Sequence, residues 1–157
     1  MLTLTFQIGN DRHGLPHEHI VEVVALVKLT PVGNAPAGVT GAFNYHGEWI
    51  PVIDPTLLKH HRPAALRWST RIVIIAPPFA ELENRRIGLI AESATEMITD
   101  RDDAAEAADP VPELSLSDVL SPVLRTWAAG FVKPPPAPVS ATISRPRRRP
   151  RHYQPEA

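Results

Sequence analysis

Histidines, carboxylates and tryptophans are the side chains of this 157-residue sequence whose types and spacing bear on chemistry. His17 and His19 stand two apart and His60 and His61 side by side, and imidazole pairs can ligate metals. In a strand, residues i and i+2 share a face, which suits the first pair. Neither pair has a third ligand at a suitable spacing, so both read as surface histidines. Glu81 and Glu83 would suit paired-carboxylate acid–base work, but they sit in a polar stretch beside Arg85 and Arg86, where a solvated charge cluster is the simpler reading. Asp100-Arg-Asp-Asp103 opens like a calcium loop but lacks the turn glycine and the closing glutamate. There is no cysteine, which excludes disulfides and thiolate zinc sites. Phosphate-cradling glycine loops and the G-x-S-x-G elbow are also missing. The sequence gives no reason to expect catalysis, a metal or a cofactor.

The aromatic residues point to contact with another macromolecule. Trp49 follows Gly47-Glu48 and is out of phase with Ile50 and Val52, so it faces away from them. Exposed aromatics on hairpins are common anchors for protein partners. Trp68 and Trp127 are open to either a core or an interface role.

The elements that must hold these residues are short strands. Leu2, Leu4, Phe6 and Ile8 alternate with Thr3, Thr5 and Gln7, which puts four apolar side chains on one face. Gly9 to Gly14 supplies turn residues. One helical turn at Pro16–His19 and then a strand are expected within 17–29, where β-branched residues are dense. Thr30 to Gly41 reads as a loop. Strands at about Gly41–Asn44 and Glu48–Ile53 flank a three-residue loop, Tyr45-His46-Gly47, with Gly47 in the left-handed region. Pro51 removes a ladder donor and marks an edge or a bulge. Asp54 or Thr56 caps a short helix that starts at Pro55 and runs to about His60. Further strands are expected at Thr70–Ala76, Arg86–Glu92 and Ala94–Thr99, with a connection over 77–85. Many short strands and little helix indicate an all-β barrel or sandwich.

Beyond Asp100 the pattern fades. Asp102–Pro112 reads as an acidic, Ala-rich loop, and helical spacing over Leu114–Trp127 is interrupted by Pro122. Residues 133–157 are rich in Pro and Arg and read as disordered. From Pro134 onward five arginines face one glutamate, a net +4, so the preceding 133 residues carry −5 within the total of −1. An acidic body does not have the overall field of a nucleic-acid-binding domain, although a small β-barrel using the basic tail as an electrostatic arm is the competing reading. No apolar run approaches the roughly 20 residues of a membrane helix, and Met1-Leu-Thr-Leu-Thr-Phe6 has no secretory pattern, so a cytoplasmic location without membrane insertion is expected.

Val39-x-Gly41-x-x-Asn44-x-His46-Gly47-x-x-x-Pro51-Val52-Ile53-Asp54 resembles the signature of the CheW-like family: a glycine, then N-x-R-G, then P-V-x-D-L. Phe6-Gln-Ile-Gly9, Leu15-Pro16, Ile20-Val-Glu-Val23, Thr70-Arg-Ile-Val-Ile74 and Ile87-Gly-Leu-Ile-Ala-Glu92 follow in the family's order, so the match runs from about Leu2 to Ile98. The wording is also similar to adaptors of Wsp-type surface-sensing clusters. The resemblance implies two SH3-like β-barrels and no catalytic site. It implies a chemotaxis adaptor that binds the cytoplasmic tip of methyl-accepting chemoreceptors and the regulatory domain of a CheA-type histidine kinase. Asn44, His46, Gly47, Trp49 and Asp54 are the residues expected to face those partners.

Two departures stand out. His46 replaces the family's arginine, which exchanges a permanent charge and a bidentate fork for a mostly neutral ring. Residues 1–132 are read as the domain, atypical after about residue 100. There the strand and C-terminal helix that normally complete the second barrel are not recognisable, and the composition resembles that of a GC-rich gene read out of frame.

Overall fold

The computed structural model describes residues 2–99 and 111–134. Alternation builds its first hairpin: β1 (Leu2–Ile8) buries Leu4, Phe6 and Ile8, while Leu2 at its open end stays partly exposed. The chain turns through Gly9-Asn10, with Gly9 at φ +66°, into β2 (Asp11–Pro16). Pairing runs from Ile8↔Asp11 to Thr3↔Pro16. Residues 11–14, expected in the turn, are therefore strand. Their polar, flexible types are overridden by a ladder partner, since strand preference is set more by pairing than by residue type.

A single 3-10 turn at His17–His19 precedes β3 (Ile20–Ala25), so the first histidine pair lies in a turn and not in a strand. The chain continues through β4 (Val39–Tyr45), β5 (Glu48–Ile53), the short helix α1 (Pro55–His60) and β6 (Arg71–Ile75) to β7 (Ile87–Thr99). β4 thus takes in Val39 to Gly41, the end of the expected loop. The two strands expected after residue 85 are one 13-residue strand with a bend. Its first half, Ile87–Ala91, pairs antiparallel with β6, and Gly88 and Leu89 pair parallel with Val52 and Ile53 of β5. Its second half pairs with β1. Between the halves Ser93 sits at φ 53°, and the register jumps from Gln7↔Glu92 to Thr5↔Glu96. A bulge of this kind bends a strand and re-aims it.

β7 thereby serves two groups of strands among the described residues: β3-β6-β7-β5-β4 and β2-β1-β7. After β3 the chain returns to β4 in one antiparallel bridge, Thr30 to Ala42, with N–H···O distances of 2.8 and 2.9 Å. β5 pairs with β7 only from Val52 onward, so Pro51 lies in the half of β5 that has a partner on one side alone. That placement suits a residue with no N–H.

Both faces of β6 are covered. Ile72 and Ile74 of β6 join Phe43, Ile50, Val52 and Ile90 in one cluster. The intervening Val73 and Ile75 join Leu4, Phe6, Ile8, Leu15, Ile53 and Leu89 in another. A strand buried on both faces has no need of polar alternation, which accounts for the unbroken run Ile72-Val-Ile-Ile75.

Helices α2 (Leu116–Val119) and α3 (Pro122–Gly130) complete the second cluster with Leu116, Val119, Leu120, Leu124 and Ala128. Pro122 starts α3 and does not break it. It occupies the first helical turn after Ser121, whose hydroxyl accepts the Leu124 N–H at 3.3 Å. Arg85 adds a tie by donating to the Phe131 carbonyl at 2.5 Å. The expectation of no recognisable C-terminal helix is thus corrected: residues 114–131 pack into the core. Their signal was weak because each helix is short and Pro122 looks like an interruption. The acidic stretch 100–110 and most of the tail expected to be disordered, from residue 135 on, lie outside the described residues.

Leu120 has no exposed surface. Leu120→Ala is expected to cost about 2–5 kcal/mol in denaturant unfolding. A loss below about 0.5 kcal/mol, the range of surface changes, would show that the C-terminal segment does not pack as described.

Candidate functional site

The β4–β5 hairpin ends in a turn of two residues, not three, because Tyr45 pairs with Glu48. His46 at φ 51° and Gly47 at φ 91° both occupy the left-handed region. Positive φ at both central positions is what the tight hairpin turn matching strand twist requires. Histidine is among the non-glycine residues that tolerate it. Asn44 locks the turn, its side-chain oxygen accepting the Gly47 N–H at 2.8 Å. Asn44, His46 and Gly47 are all exposed, and nothing lies near the position a Gly47 Cβ would take.

Side chains remote in sequence brace this tip. The Tyr45 hydroxyl donates to Glu22 of β3, and the two strands have no ladder contact at that point. That bond holds the phenol protonated above its usual range, so it stays a donor. The His46 ring stands edge-on to Tyr45 with centroids 4.3 Å apart. On the other side Arg86 pairs with Glu48 at 2.7 Å. Trp49, half-buried, stands opposite Asn44, outside the cluster that holds Ile50 and Val52. Asn44, His46, Gly47 and Trp49 therefore share one tip, joined by Tyr45, Glu22 and Arg86, which residue types alone did not single out as a group. The charged and ring groups together form an exposed surface with hydrogen-bonding capacity and no nucleophile–base pair.

Asp54 does not belong to that tip. It lies at the far end of β5 with 2% of its surface exposed. One carboxylate oxygen accepts the N–H groups of Thr56 (3.0 Å) and Leu57 (3.3 Å), capping α1, and the other accepts Ala64 N–H at 2.8 Å. Direct partner contact by Asp54 is replaced by a role in fixing the backbone after β5. Burial raises its pKa against those three bonds, and the nearby Glu92 carboxylate raises it further. Thr56 links the two acids by donating to Glu92 at 3.3 Å.

No group of three metal-ligating side chains occurs among the described residues. Glu81 lies 3.9 Å from Arg125 of α3, while Arg85 and Arg86 point to other partners, so the expected charge cluster is divided. The buried histidine that matters is His13, 8% exposed, with neither ring nitrogen hydrogen-bonded within the described residues. Burial lowers its pKa from 6.5, Lys59 lowers it further, and Asp11 opposes both.

A family profile described as "CheW-like domain" matches residues 2–125. Similar proteins include the "Chemotaxis protein CheW" of Treponema pallidum, 29% identical over 99 residues, covering 60% of this chain and 55% of that protein. "Protein FrzA" of Myxococcus xanthus is 37% identical over 69 residues, covering 44% and 43%. The "Chemotaxis protein CheW" of Rhizobium meliloti is 26% identical over 131 residues, covering 82% and 75%. Among solved structures, the "scaffolding protein TtCheW" of Thermoanaerobacter tengcongensis superposes with a TM-score of 0.55 at 25% identity, over 65% of this chain and 64% of that one. The chain spans about half the length of the first two relatives. None of these matches singles out the Wsp-type subgroup.

Gly47→Ala introduces a Cβ at positive φ without a clash, so it should cost about 1–2 kcal/mol of stability through backbone strain alone. An unchanged unfolding midpoint would contradict the turn geometry. His13 has a lowered folded pKa, so at pH well above 6.5 it is neutral folded or unfolded and its titration has no effect. As pH falls through 6.5 the unfolded chain takes up the proton first, and stability should decline. Unfolding midpoints measured across this range should fall less in His13→Leu than in the wild type. Equal slopes would contradict the burial of an unpaired ring.

Proposed function

The chain belongs to the family of CheW-like domains, and from that premise we propose that it is a non-enzymatic adaptor coupling methyl-accepting chemoreceptors to a CheA-type histidine kinase. The observation that carries this reading is the hairpin tip: the family's N-x-x-G positions, Asn44 and Gly47, form a locked two-residue turn that pushes His46 into solvent. The Asn44–Gly47 bond and the Tyr45–Glu22 and Arg86–Glu48 braces hold the tip in one shape, so a partner meets a preformed surface and little ordering entropy is lost on docking. Trp49 and Tyr45 supply aromatic area beside the tip, and the Arg86–Glu48 pair supplies a polar rim.

The receptor tip and the kinase regulatory domain are the partners this reading assigns, with Asn44, His46, Gly47 and Trp49 as the facing residues. The adaptor acts by holding its two partners at a fixed separation, which needs rigidity and no chemical step. No described helix is long and apolar enough to cross a membrane. A cytoplasmic site of action follows from the assigned partners. The competing nucleic-acid reading gains nothing from the relatives named above.

His46→Arg restores a permanent charge and a bidentate donor at an exposed position. It should strengthen receptor-domain binding by ~1 kcal/mol, roughly fivefold in Kd, in a calorimetric titration of the full chain. No gain, with the turn intact, would remove His46 from the docking surface. Failure of the wild-type chain to bind either a receptor signalling domain or a kinase regulatory domain would refute the adaptor reading itself.

A further inference from the structure

The loop between α1 and β6 differs in charge from most of the acidic body. From Pro55 to Ala80 there is no acidic residue, while Lys59, Arg62, Arg67 and Arg71 are all basic, in a body whose net charge is negative. Trp68 is 97% exposed and Leu66 70% exposed, on the same short stretch as the exposed Arg62 and Arg67. Neither arginine has an ion-pair partner among the described residues. Trp and Arg are the side chains most enriched where protein interfaces concentrate their binding energy.

An exposed tryptophan on a floppy loop would carry little weight, but Ala64, Ala65, Arg67, Trp68 and Ser69 of this loop are each tied by a backbone hydrogen bond. Ala64 N–H donates to Asp54. The buried Thr70 hydroxyl donates to the Ala65 carbonyl at 2.7 Å and accepts Arg67 N–H at 3.0 Å, and Thr70 N–H donates to the Arg67 carbonyl at 3.0 Å. The Arg71 guanidinium donates to the Trp68 carbonyl. Ala94 N–H, freed from the ladder by the β7 bulge, donates to the Ser69 carbonyl at 3.1 Å. The loop is thus presented in a fixed shape, and docking on it loses little conformational freedom.

Its position is also distinct from the hairpin tip. The tip surrounds the β4–β5 turn and lies by the start of β7, through the Arg86–Glu48 pair. The loop leads into Arg71, which pairs with Ala91 at the far end of the first half of β7. Strands of this length separate the two surfaces by roughly 20 Å.

We infer that the 62–69 loop is a second docking surface, built for a protein partner that offers an apolar socket to Trp68 within an acidic rim facing Arg62 and Arg67. The inference rests on the adaptor reading and deepens it, because a bridge needs two separated surfaces. Arginine favours carboxylates through its bidentate fork, and a single exposed tryptophan and leucine suit a socket better than a broad apolar plane.

The test is a calorimetric titration of the full chain with a receptor signalling domain and, separately, with a kinase regulatory domain, at low and high salt. Trp68→Ala should weaken binding to one of the two by about tenfold or more, with an unchanged thermal midpoint. Arg67→Glu should weaken the same partner and flatten its salt dependence. If the wild type binds either protein and both variants bind equally well, the loop is not a docking surface. If the variants instead lose binding to phosphatidylserine vesicles or duplex DNA, with protein binding unchanged, the acidic protein partner is the wrong occupant. If the wild type binds neither protein, the adaptor reading fails and the loop inference falls with it.

Discussion

Strand β7 is shared between two groups of strands, and nearly every other feature takes its position from that sharing. Its first half has β5 on one side and β6 on the other, with apolar clusters on both faces. A one-residue slip would send Leu89 and Ile90 to the wrong clusters, so the register is tightly specified. Gly88 fits this crowding: a Cβ there would meet Ile72 at 2.9 Å and Val52 at 3.1 Å. The parallel pairing with β5 then aims the β4–β5 hairpin at the end where β7 begins. The bend at Ser93 carries the second half over to β1, and the N–H it releases fixes the loop that carries Trp68. One strand therefore sets both the tip and the opposite loop.

Much of this was legible where the local signal and the final environment agree. The alternation of β1 and the unbroken apolar run of β6 both report burial directly. Asp54-Pro55 reads as a strand end followed by a helix start, and the carboxylate makes that cap. Residues 11–14 were misread because their types favour turns, while their ladder partner is supplied by β1. β7 reads as two strands because the chain does break its ladder at Ser93, but the bulge there bends the strand without ending it. The C-terminal helices were obscured for a different reason. α2 spans four residues, too few for helical periodicity to stand out, and Pro122 is as acceptable at a helix start as it is harmful inside one.

The candidate site divides along the same line. Asn44, His46 and Gly47 belong to one short motif whose hydrogen bond spans three residues, so sequence order was enough to group them. The braces Glu22–Tyr45 and Glu48–Arg86 span 23 and 38 residues and became visible only with the sheet in place. Asp54 shares the motif's wording but not its surface. Six strand residues, Glu48 to Ile53, carry it to the other end, where its burial and three N–H contacts make it structural. A family signature can thus mix exposed turn residues with a buried residue that holds the backbone behind them.

The proposed adaptor role rests on docking at the β4–β5 hairpin tip. Backbone hydrogen exchange on the full chain, with and without a receptor signalling domain, addresses it most directly. Docking at the tip predicts new protection at Tyr45 to Trp49 on complex formation, with little change in the core amides of β6. Protection confined to surfaces away from the β4–β5 turn, with the exchange of Tyr45 to Trp49 unaltered, would contradict it.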